Sequence, residues 1–225
     1  MTGSGIGAAV TLLIADDDEV TRSGLRTLLA AQPGIEVVGE AADGVEAVEQ
    51  ARRLHPDVVL MDVRMPRRNG IEATRHLLAG ATDPPKVVVI TTFENDDYVT
   101  AALSAGAGGF VLKRRPVREI AEAVRVAAAG EAILFPAALR RLVAARPLDS
   151  AEALPRAALT GREEEVLRLM ATGLSNPEIA RSLTVSLETV KTHAGNVLTK
   201  LGAQNRTHAV VIAYESGLVV PGFTG

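Results

Sequence analysis

The first 129 residues alternate between short apolar runs and stretches in which apolar positions have helical spacing. Continuous apolar runs of about five residues are typical of strands that are buried on both faces. The runs predict strands at Thr11–Ala15, Ile35–Gly39, Val58–Asp62, Lys86–Ile90 and Gly109–Leu112. The helical stretches predict one helix that ends at Pro33 and further helices at 43–54, 70–79, 96–105 and 117–129.

This alternation of strand and helix predicts a doubly wound α/β domain with a five-stranded parallel sheet, flavodoxin-like in class. Each strand-to-strand crossover is right-handed, so helices are expected to cover both faces of the sheet. We expect the domain to span residues 11–129, an ordinary length for one compact domain. Residues 1–10 are expected to form a flexible tail.

The pattern changes after a segment rich in Ala, Arg and Pro, interpreted as a linker at 130–158 with a short helix near 137–145. Capping-box pairs then open two helices, Thr160 with Glu163 and Ser175 with Glu178. The four predicted helices lie at 160–171, 175–183, 186–201 and 206–216. The short connection between the second and third fits a helix-turn-helix, so we expect a small all-α domain at 159–220 and a tail at 221–225.

Composition narrows the class of protein. The formal net charge is −3 and cysteine is absent, which excludes disulfides and thiolate metal sites. The four histidines lack the spacing of metal ligands, so a zinc site is not expected. No apolar run approaches the roughly 18 residues of a membrane helix, and the N-terminus does not resemble a signal peptide. We expect a cytoplasmic protein.

Polar side chains stand at the ends of four predicted strands. Asp16 and Asp17 follow the first strand, Asp62 ends the third, Thr91 follows the fourth and Lys113 follows the fifth. In parallel α/β sheets, ligands bind at the carboxyl ends of the strands. If the strand order brings these ends together, the carboxylates repel one another unless Mg²⁺ and Lys113 compensate them. Asp62 is then a candidate nucleophile toward a phosphoryl group, and Thr91 could hydrogen-bond a phosphoryl oxygen.

Each of these residues also has an ordinary structural explanation. An Asp after a strand is commonly a turn or helix-cap residue, a Thr commonly ends a strand, and a Lys is commonly solvated. Their joint placement at the strand ends of one domain nevertheless favours a functional site.

The N-terminal region resembles the receiver domain of two-component response regulators. The resemblance is carried by the motifs LLIADDDEVTRSGLRTLL, VVLMDVRMPRRNGIEA, VVVITTF and GFVLK. It implies that a partner histidine kinase phosphorylates Asp62. It also implies that Mg²⁺ is bound by Asp17, Asp62 and the backbone carbonyl of Arg64, with Asp16 assisting through water.

The same resemblance implies how a phosphoryl group is sensed. Thr91 and Phe110 stand at the positions of the family's switch pair, and Lys113 stands at that of its phosphate contact. Phe110 supplies the aromatic ring of the pair without the hydroxyl group that a Tyr would have.

The C-terminal helices resemble the LuxR-type helix-turn-helix of the NarL/FixJ group of response regulators. The matching segment is LTGREEEVLRLMATGLSNPEIARSLTVSLETVKTHAGNVLTKLGAQNRTHAVVIAYESGLV. By this resemblance, residues 176–183 form a positioning helix and residues 186–201 form the recognition helix. The last helix would be a dimer surface.

Apolar spacing separates a buried face from an outward face of the predicted recognition helix. The residues better interpreted as core are Val190, Val197, Leu198 and Leu201. The candidates for DNA contact are Thr189, Lys191, Thr192, His193, Asn196 and Lys200. The two lysines and the histidine suit phosphates, and the shorter polar side chains suit base edges. Taken alone, each lysine is more simply explained as a solvated residue.

Two features limit the affinity expected of a single copy for DNA. From Arg156 onward, seven Lys and Arg residues face six Glu residues, so this region is close to neutral. Gly195 stands in mid-helix, where Gly costs about 1 kcal/mol relative to Ala, and it has no side chain to read a base. Either neighbouring residues supply specificity or the backbone approaches DNA closely there. We expect a homodimer on an inverted repeat, because two half-sites supply additional contacts.

These features favour a transcriptional regulator that is phosphorylated on Asp62 and binds DNA, and not an enzyme. One alternative is a Mg²⁺-dependent phosphohydrolase with an aspartate nucleophile and a helical appendage. Arg64, two residues after Asp62, is a poor general acid for that reaction. Another alternative is a regulator that works through protein contacts without phosphorylation, and the intact trio of acids argues against it.

Overall fold

The structure, a computed structural model, describes residues 8–79, 84–92, 96–130 and 159–219. By the grouping of its internal contacts, the chain divides into two compact units, residues 1–94 with 109–129 and residues 95–108 with 130–225. The predicted tails, apart from residues 8–10, lie outside the described residues. So does the predicted linker after residue 130, including its short helix, and the predicted domain boundaries stay predictions.

The sheet belongs to the first unit and has five parallel strands in the order β2–β1–β3–β4–β5. Its strands are β1 (Val10–Ala15), β2 (Ile35–Ala41), β3 (Val58–Asp62), β4 (Lys86–Thr91) and β5 (Gly109–Leu112). The helices that alternate with them along the chain are α1 (Glu19–Ala30), α2 (Gly44–Leu54), α3 (Gly70–Leu78), α4 (Asp96–Ser104) and α5 (Val117–Ala128). The predicted doubly wound α/β fold is confirmed, with helix and strand in strict alternation.

Strand β3 lies at the centre of the sheet, and all five of its residues are buried. It pairs in parallel with β1 on one side, where Val58 stands opposite Leu12. On its other side Asp62 stands opposite Ile90 of β4. Each buried Leu or Ile in such strands contributes about 1.5–3 kcal/mol through the hydrophobic effect, so Asp62 sits at the end of a firmly held central strand.

Two acidic residues in loops after the strands begin helices. Asp18 follows β1 and accepts a hydrogen bond from the N–H of Thr21 (2.6 Å) at the start of α1. Asp43 follows β2, and one of its oxygens accepts from the N–H groups of Val45 (2.8 Å) and Glu46 (3.0 Å) in α2. Both residues are therefore N-caps, which satisfy backbone donors that the helix itself leaves unpaired.

The second unit contains four C-terminal helices. They are α6 (Gly161–Ala171), α7 (Asn176–Leu183), α8 (Leu187–Leu201) and α9 (Arg206–Glu215). Only residues 184–186 separate α7 from α8, which confirms the short turn of the predicted helix-turn-helix. The predicted capping box of α6 is formed, since Thr160 Oγ1 accepts from the N–H of Glu163 (3.3 Å) and Glu163 Oε2 accepts from the N–H of Thr160 (2.7 Å).

Aliphatic side chains from all four helices form the core of this helical bundle. The fully buried ones are Val166, Leu167, Met170, Ile179, Val190, Val197, Ala209, Val210 and Ala213. Val190 and Val197 thus lie in the core as predicted, whereas Leu198 and Leu201 are half-buried. Among the helices that the structure describes, none is both long enough and apolar enough to cross a membrane.

An ion pair between an exposed lysine and a buried glutamate joins the start of α6 to the end of α8. Lys200 Nζ lies 2.6 Å from Glu163 Oε2, and the Glu163 side chain is almost fully buried. The hydrogen bond from Lys200, followed by that from the N–H of Thr160, lowers the pKa of Glu163 from 4.5 to about 2. Glu163 therefore caps its own helix and holds the last turn of α8 against it.

We expect Glu163→Gln to be less stable than the wild type at neutral pH. In acid we expect the two proteins to have nearly equal stability, because Glu163 of the wild type is then protonated. A carboxyl group with a lowered pKa in the folded state stabilises it above the ordinary pKa, and this contribution disappears as pH falls from about 4.5 toward 2. Urea unfolding of the full chain in a Tyr98→Phe background would follow the fluorescence of Tyr214 alone, because the chain has two tyrosines and no tryptophan.

The matched control is Glu165→Gln, on the same helix. Glu165 Oε2 lies 2.6 Å from Arg162 Nη1, but both side chains are substantially exposed, and exposed ion pairs contribute little. We expect the midpoint of this variant to stay near that of the wild type. Equal losses from the two substitutions, or a loss from Glu163→Gln that persists at pH 2, would contradict the role given to Glu163.

Candidate functional site

Three carboxylates meet at the carboxyl edge of the sheet. Asp16 and Asp17 follow β1 and Asp62 ends β3, and these two strands are neighbours. One carboxylate oxygen from each residue lies within 4.8 Å of the others. Asp16 and Asp62 are buried, whereas Asp17 is exposed at the mouth of the cluster. The structure therefore brings together the three acids that the sequence placed at strand ends.

Lys113, directly after β5, reaches the same cluster. Its Nζ lies 2.6 Å from Asp16 Oδ2 and 3.1 Å from Asp62 Oδ2. Its backbone N–H donates to the carbonyl of Thr91 (2.8 Å), which fixes the start of the lysine side chain at the end of β4. Three carboxylates against one ammonium group leave two formal negative charges uncompensated at this edge.

Burial and neighbouring charge both shift the ionisation of this cluster. Burial raises the pKa of Asp62, the Lys113 ammonium opposes that rise, and the Asp16 carboxylate adds to it. Burial lowers the pKa of Lys113, but its close ion pair with Asp16 and the charge of Asp62 outweigh burial and raise the pKa. Lys113 is thus held as a cation, while the negative charge of Asp62 is costly without further compensation.

The donor set fits a hard divalent cation. All three candidate ligands are carboxylates, which suit Mg²⁺, whereas zinc sites favour histidine and cysteine. Asp16 Oδ2 is buried and, despite its closeness to Lys113 Nζ, receives no hydrogen bond of good geometry within the described residues. A dication would compensate the remaining charge and occupy such an oxygen, so the residues present can hold a metal.

The loop after β3 folds tightly over the end of that strand. Gly70 donates its N–H to the carbonyl of Val63 (2.9 Å), and the N–H of Val63 donates to Asp62 Oδ1 (2.8 Å). A Cβ atom at Gly70 would lie 1.8 Å from the carbonyl oxygen of Asp62, a distance that no side chain tolerates. Glycine at this position is therefore required for the close approach that holds the Asp62 backbone in place.

A clasp between Asp43 and Arg67 holds the same loop from the side. Arg67 Nε donates to Asp43 Oδ2 (2.7 Å), and Arg67 Nη2 donates to the same oxygen. Burial raises the pKa of Asp43, but hydrogen bonds from Glu46 and Arg67 outweigh it and lower the pKa. Arg67 itself has a left-handed backbone (φ 59°), which a non-glycine residue adopts only when its surroundings impose it.

The sequence predicted a helix that begins at Asp43 but not the pairing of Asp43 with Arg67. The two residues are 24 positions apart, and no local pattern links them. The N–H of Gly44 also donates to the carbonyl of Arg68 (3.2 Å), so two contacts join the start of α2 to this loop. The loop carries Arg64, which is exposed, and its carbonyl is the predicted metal ligand.

The two predicted switch residues lie in adjacent strands beside the carboxylates. Thr91 ends β4 and is almost fully buried, and Phe110 is buried in β5. In the register of these strands Val89 pairs with Phe110 and Thr91 pairs with Leu112. Thr91 therefore lies at the carboxyl edge of the sheet, and Phe110 lies three residues before Lys113. Their sensing role stays a prediction.

The second set of predicted site residues lies on α8. Lys191, Thr192, Asn196 and Lys200 are exposed, whereas Thr189 and His193 are half-buried. Two of the six, Thr189 and Lys200, already contact other side chains of the helical bundle. The hydroxyl of Thr189 lies 2.8 Å from that of Ser186, and Lys200 is held by Glu163. The predicted contacts of all six residues with DNA stay predictions.

Two families of known proteins match the chain. The family described as "Response regulator receiver domain" matches residues 12–125. The family described as "Bacterial regulatory proteins, luxR family" matches residues 157–213. The first match covers the sheet and the carboxylate cluster, and the second covers α6 to α8 and most of α9.

Relatives match almost the full length of the chain. Transcriptional regulatory protein LiaR of Bacillus subtilis (strain 168) is 43% identical over 210 residues, which are 93% of this chain and 99% of that protein. Response regulator protein VraR of Staphylococcus aureus (strain NCTC 8325 / PS 47) is 41% identical over 212 residues, again 93% of this chain and 99% of that protein.

Solved structures agree with these matches. The response regulator ChrA of a heme-sensing two-component system is similar with a TM-score of 0.52 and 35% identity, covering 95% of this chain and 100% of that chain. The RcsB response regulator of Salmonella typhimurium is similar with a TM-score of 0.53 and 26% identity, covering 94% and 100%. The chain therefore belongs to the two-component response regulators that join a receiver domain to a LuxR-type helix-turn-helix domain.

Proposed function

We propose that a partner histidine kinase phosphorylates Asp62, and that the phosphorylated chain binds double-stranded promoter DNA as a homodimer to regulate transcription in the cytoplasm. The observation that carries this proposal is the buried Asp62 carboxylate, flanked by Asp16, Asp17 and Lys113 at the carboxyl edge of the sheet. A single oxygen nucleophile in a charged pocket suits transfer of a phosphoryl group.

In the proposed reaction an oxygen of Asp62 attacks the phosphorus atom of the donor. The bond from phosphorus to the donor's nitrogen breaks, and an acyl phosphate forms on Asp62. Lys113, whose Nζ lies 3.1 Å from Asp62 Oδ2, is placed to pair with a phosphoryl oxygen. A bound Mg²⁺, held by Asp17, Asp62 and the Arg64 carbonyl with Asp16 through water, would neutralise charge on the transferred group.

Formation of the acyl phosphate would change the balance of charge around Lys113 and Thr91. The Thr91 hydroxyl could then bond a phosphoryl oxygen, and Phe110 would adjust to the position that Thr91 takes. Such a change would favour one of two existing conformations of the receiver surface, and the free energy of the new contacts sets how far the equilibrium moves.

The other functions considered have less support. A phosphohydrolase with an aspartate nucleophile is not favoured by the family assignment, and Arg64 remains an unsuitable general acid. A regulator that never uses phosphorylation would have no need of three clustered carboxylates with an ion-paired lysine.

We expect acetyl phosphate with Mg²⁺ to add one phosphoryl group to the wild-type chain and none to Asp62→Asn. The amide of Asn cannot act as the nucleophile, and the substitution keeps the size of the side chain. Intact mass and a phosphate-affinity gel both measure the product.

The control is Asp57→Asn at the other end of β3, where Asp57 bonds Thr11 and takes no part in the pocket. This variant should be labelled like the wild type. Labelling of Asp62→Asn at the wild-type level would disprove the assignment of the phosphoacceptor.

We expect Arg67→Ala to weaken Mg²⁺ binding by roughly tenfold, the usual effect of removing a group that positions a metal ligand. Loss of the clasp with Asp43 frees the loop that carries the Arg64 carbonyl. Titration calorimetry with Mg²⁺ and no phosphodonor measures the affinity directly.

Arg68→Ala is the control, because it removes the same charge from the next residue but leaves the Asp43–Arg67 clasp. Removing a positive charge near the site should by itself strengthen Mg²⁺ binding slightly. An equal change in both variants would show that Arg67 acts only through its charge and not by holding the loop.

We expect binding of the phosphorylated chain to promoter DNA to weaken as salt rises, with two chains on each duplex. Lys191→Ala should reduce the slope of log K against log salt by about one for each chain, since one phosphate contact is lost. Fluorescence anisotropy over a salt series measures the slope, and analytical ultracentrifugation gives the stoichiometry.

Arg168→Ala on α6 removes a surface charge that pairs with Glu164 and lies outside α8. The slope of log K against log salt for this variant should equal that of the wild type. Binding that is independent of salt, or one chain per duplex, would contradict the proposed mode of DNA binding.

A further inference from the structure

The exposed residues of α8 form one continuous stripe. They recur at helical spacing of three and four, and they are Leu187, Glu188, Lys191, Thr192, Gly195, Asn196, Thr199 and Lys200. Residues at this spacing share one face of a helix. Gly195 lies near the middle of the stripe, at the place where a helix in a groove would come closest to its partner.

Packing does not explain why this position is a glycine. A Cβ atom built on Gly195 meets no atom of the described residues within 4 Å. Its backbone is not among those with positive φ, so an L-residue would fit without strain. Gly44 and Gly70 differ in this respect, because a Cβ atom there would lie 2.3 Å and 1.8 Å from a backbone oxygen. At Gly195 an alanine would favour the helix at no steric cost.

The threonines beside Gly195 use their hydroxyl hydrogens within the helix. Thr192 Oγ1 donates to the carbonyl of Glu188, and Thr199 Oγ1 donates to the carbonyl of Gly195, both at 3.0 Å. Toward a partner these side chains therefore offer methyl groups and oxygen lone pairs. Asn196 is exposed, and its amide provides both a donor and an acceptor.

We propose that Gly195 is a specificity-determining residue, whose missing side chain lets the backbone of α8 lie close to the base edges of the major groove. The inference rests on the proposed function, because it requires that α8 bind DNA. The close approach brings Thr192 and Asn196 within reach of the bases. A threonine methyl group suits the methyl group of thymine, and an asparagine amide suits adenine, so the pairs under this part of the helix are A·T.

The test uses the full chain treated with acetyl phosphate, and a duplex selected by the wild type from a randomised library. Gly195→Ala should slow amide hydrogen exchange in residues 187–201 by about fivefold, which shows that the helix has gained stability. The same variant should bind the selected duplex about tenfold more weakly, while its binding to a scrambled duplex of equal composition changes less than about twofold.

The matched control is Gly24→Ala in α1, where a Cβ atom also meets nothing within 4 Å. This variant should slow exchange in α1 and leave binding to both duplexes unchanged. Unchanged affinity of Gly195→Ala for the selected duplex, or an equal loss on both duplexes, would overturn the role given to Gly195.

The outcome for the wild type separates this inference from the proposed function. If the wild type enriches a duplex and Gly195→Ala binds it equally well, only the inference is wrong. If the phosphorylated wild type enriches no duplex at all, DNA binding itself is disproved. A second selection with Gly195→Ser should lose the A·T preference under Thr192 and Asn196, and recovery of the same site would overturn the inference.

Discussion

The burial of a charged Asp62 beside Asp16 is the constraint on which the receiver site depends. Two carboxylates enclosed by a parallel sheet are costly unless positive charge lies within a few ångströms. Lys113 supplies one such charge, and the sheet must place β1, β3 and β5 so that its Nζ reaches both acids at 2.6 Å and 3.1 Å. The remaining negative charge favours binding of a dication, and it makes the electrostatic energy of the pocket sensitive to a change in charge on Asp62.

The geometry of the backbone around Asp62 serves the same requirement. Gly70 permits the chain to fold back within contact of the Asp62 carbonyl, and the Asp43–Arg67 clasp holds the loop between them. The left-handed backbone of Arg67 lies in a tight turn closed by the hydrogen bond from the N–H of Arg68 to the carbonyl of Pro66 (2.6 Å), and the Arg67 side chain is held by Asp43. A loop held by these contacts keeps the Arg64 carbonyl close to the carboxyl end of β3.

Charge has a different use in the helical bundle. The Glu163–Lys200 pair stabilises the bundle by fixing the last turn of α8, and the aliphatic core fixes the face that carries Val190 and Val197. With those contacts made, the opposite face of α8 is left for a partner. Lys200, a predicted phosphate contact, thus also has a structural role. Gly195, which has no packing role, becomes the residue of interest on this helix.

The sequence by itself determined the elements and the chemistry of their ends. Apolar runs and helical spacing predicted every strand and helix that the structure describes. The polar residues at the carboxyl ends of β1, β3, β4 and β5 identified the site, because burial and strand ends depend on the local order of residues. Tertiary structure alone decided which distant residues meet. Arg67 contacts Asp43 across 24 positions and Lys200 contacts Glu163 across 37, pairings that no periodicity predicts. Only the folded chain could show that packing requires glycine at Gly70 but not at Gly195, because that difference depends on the atoms that surround each backbone.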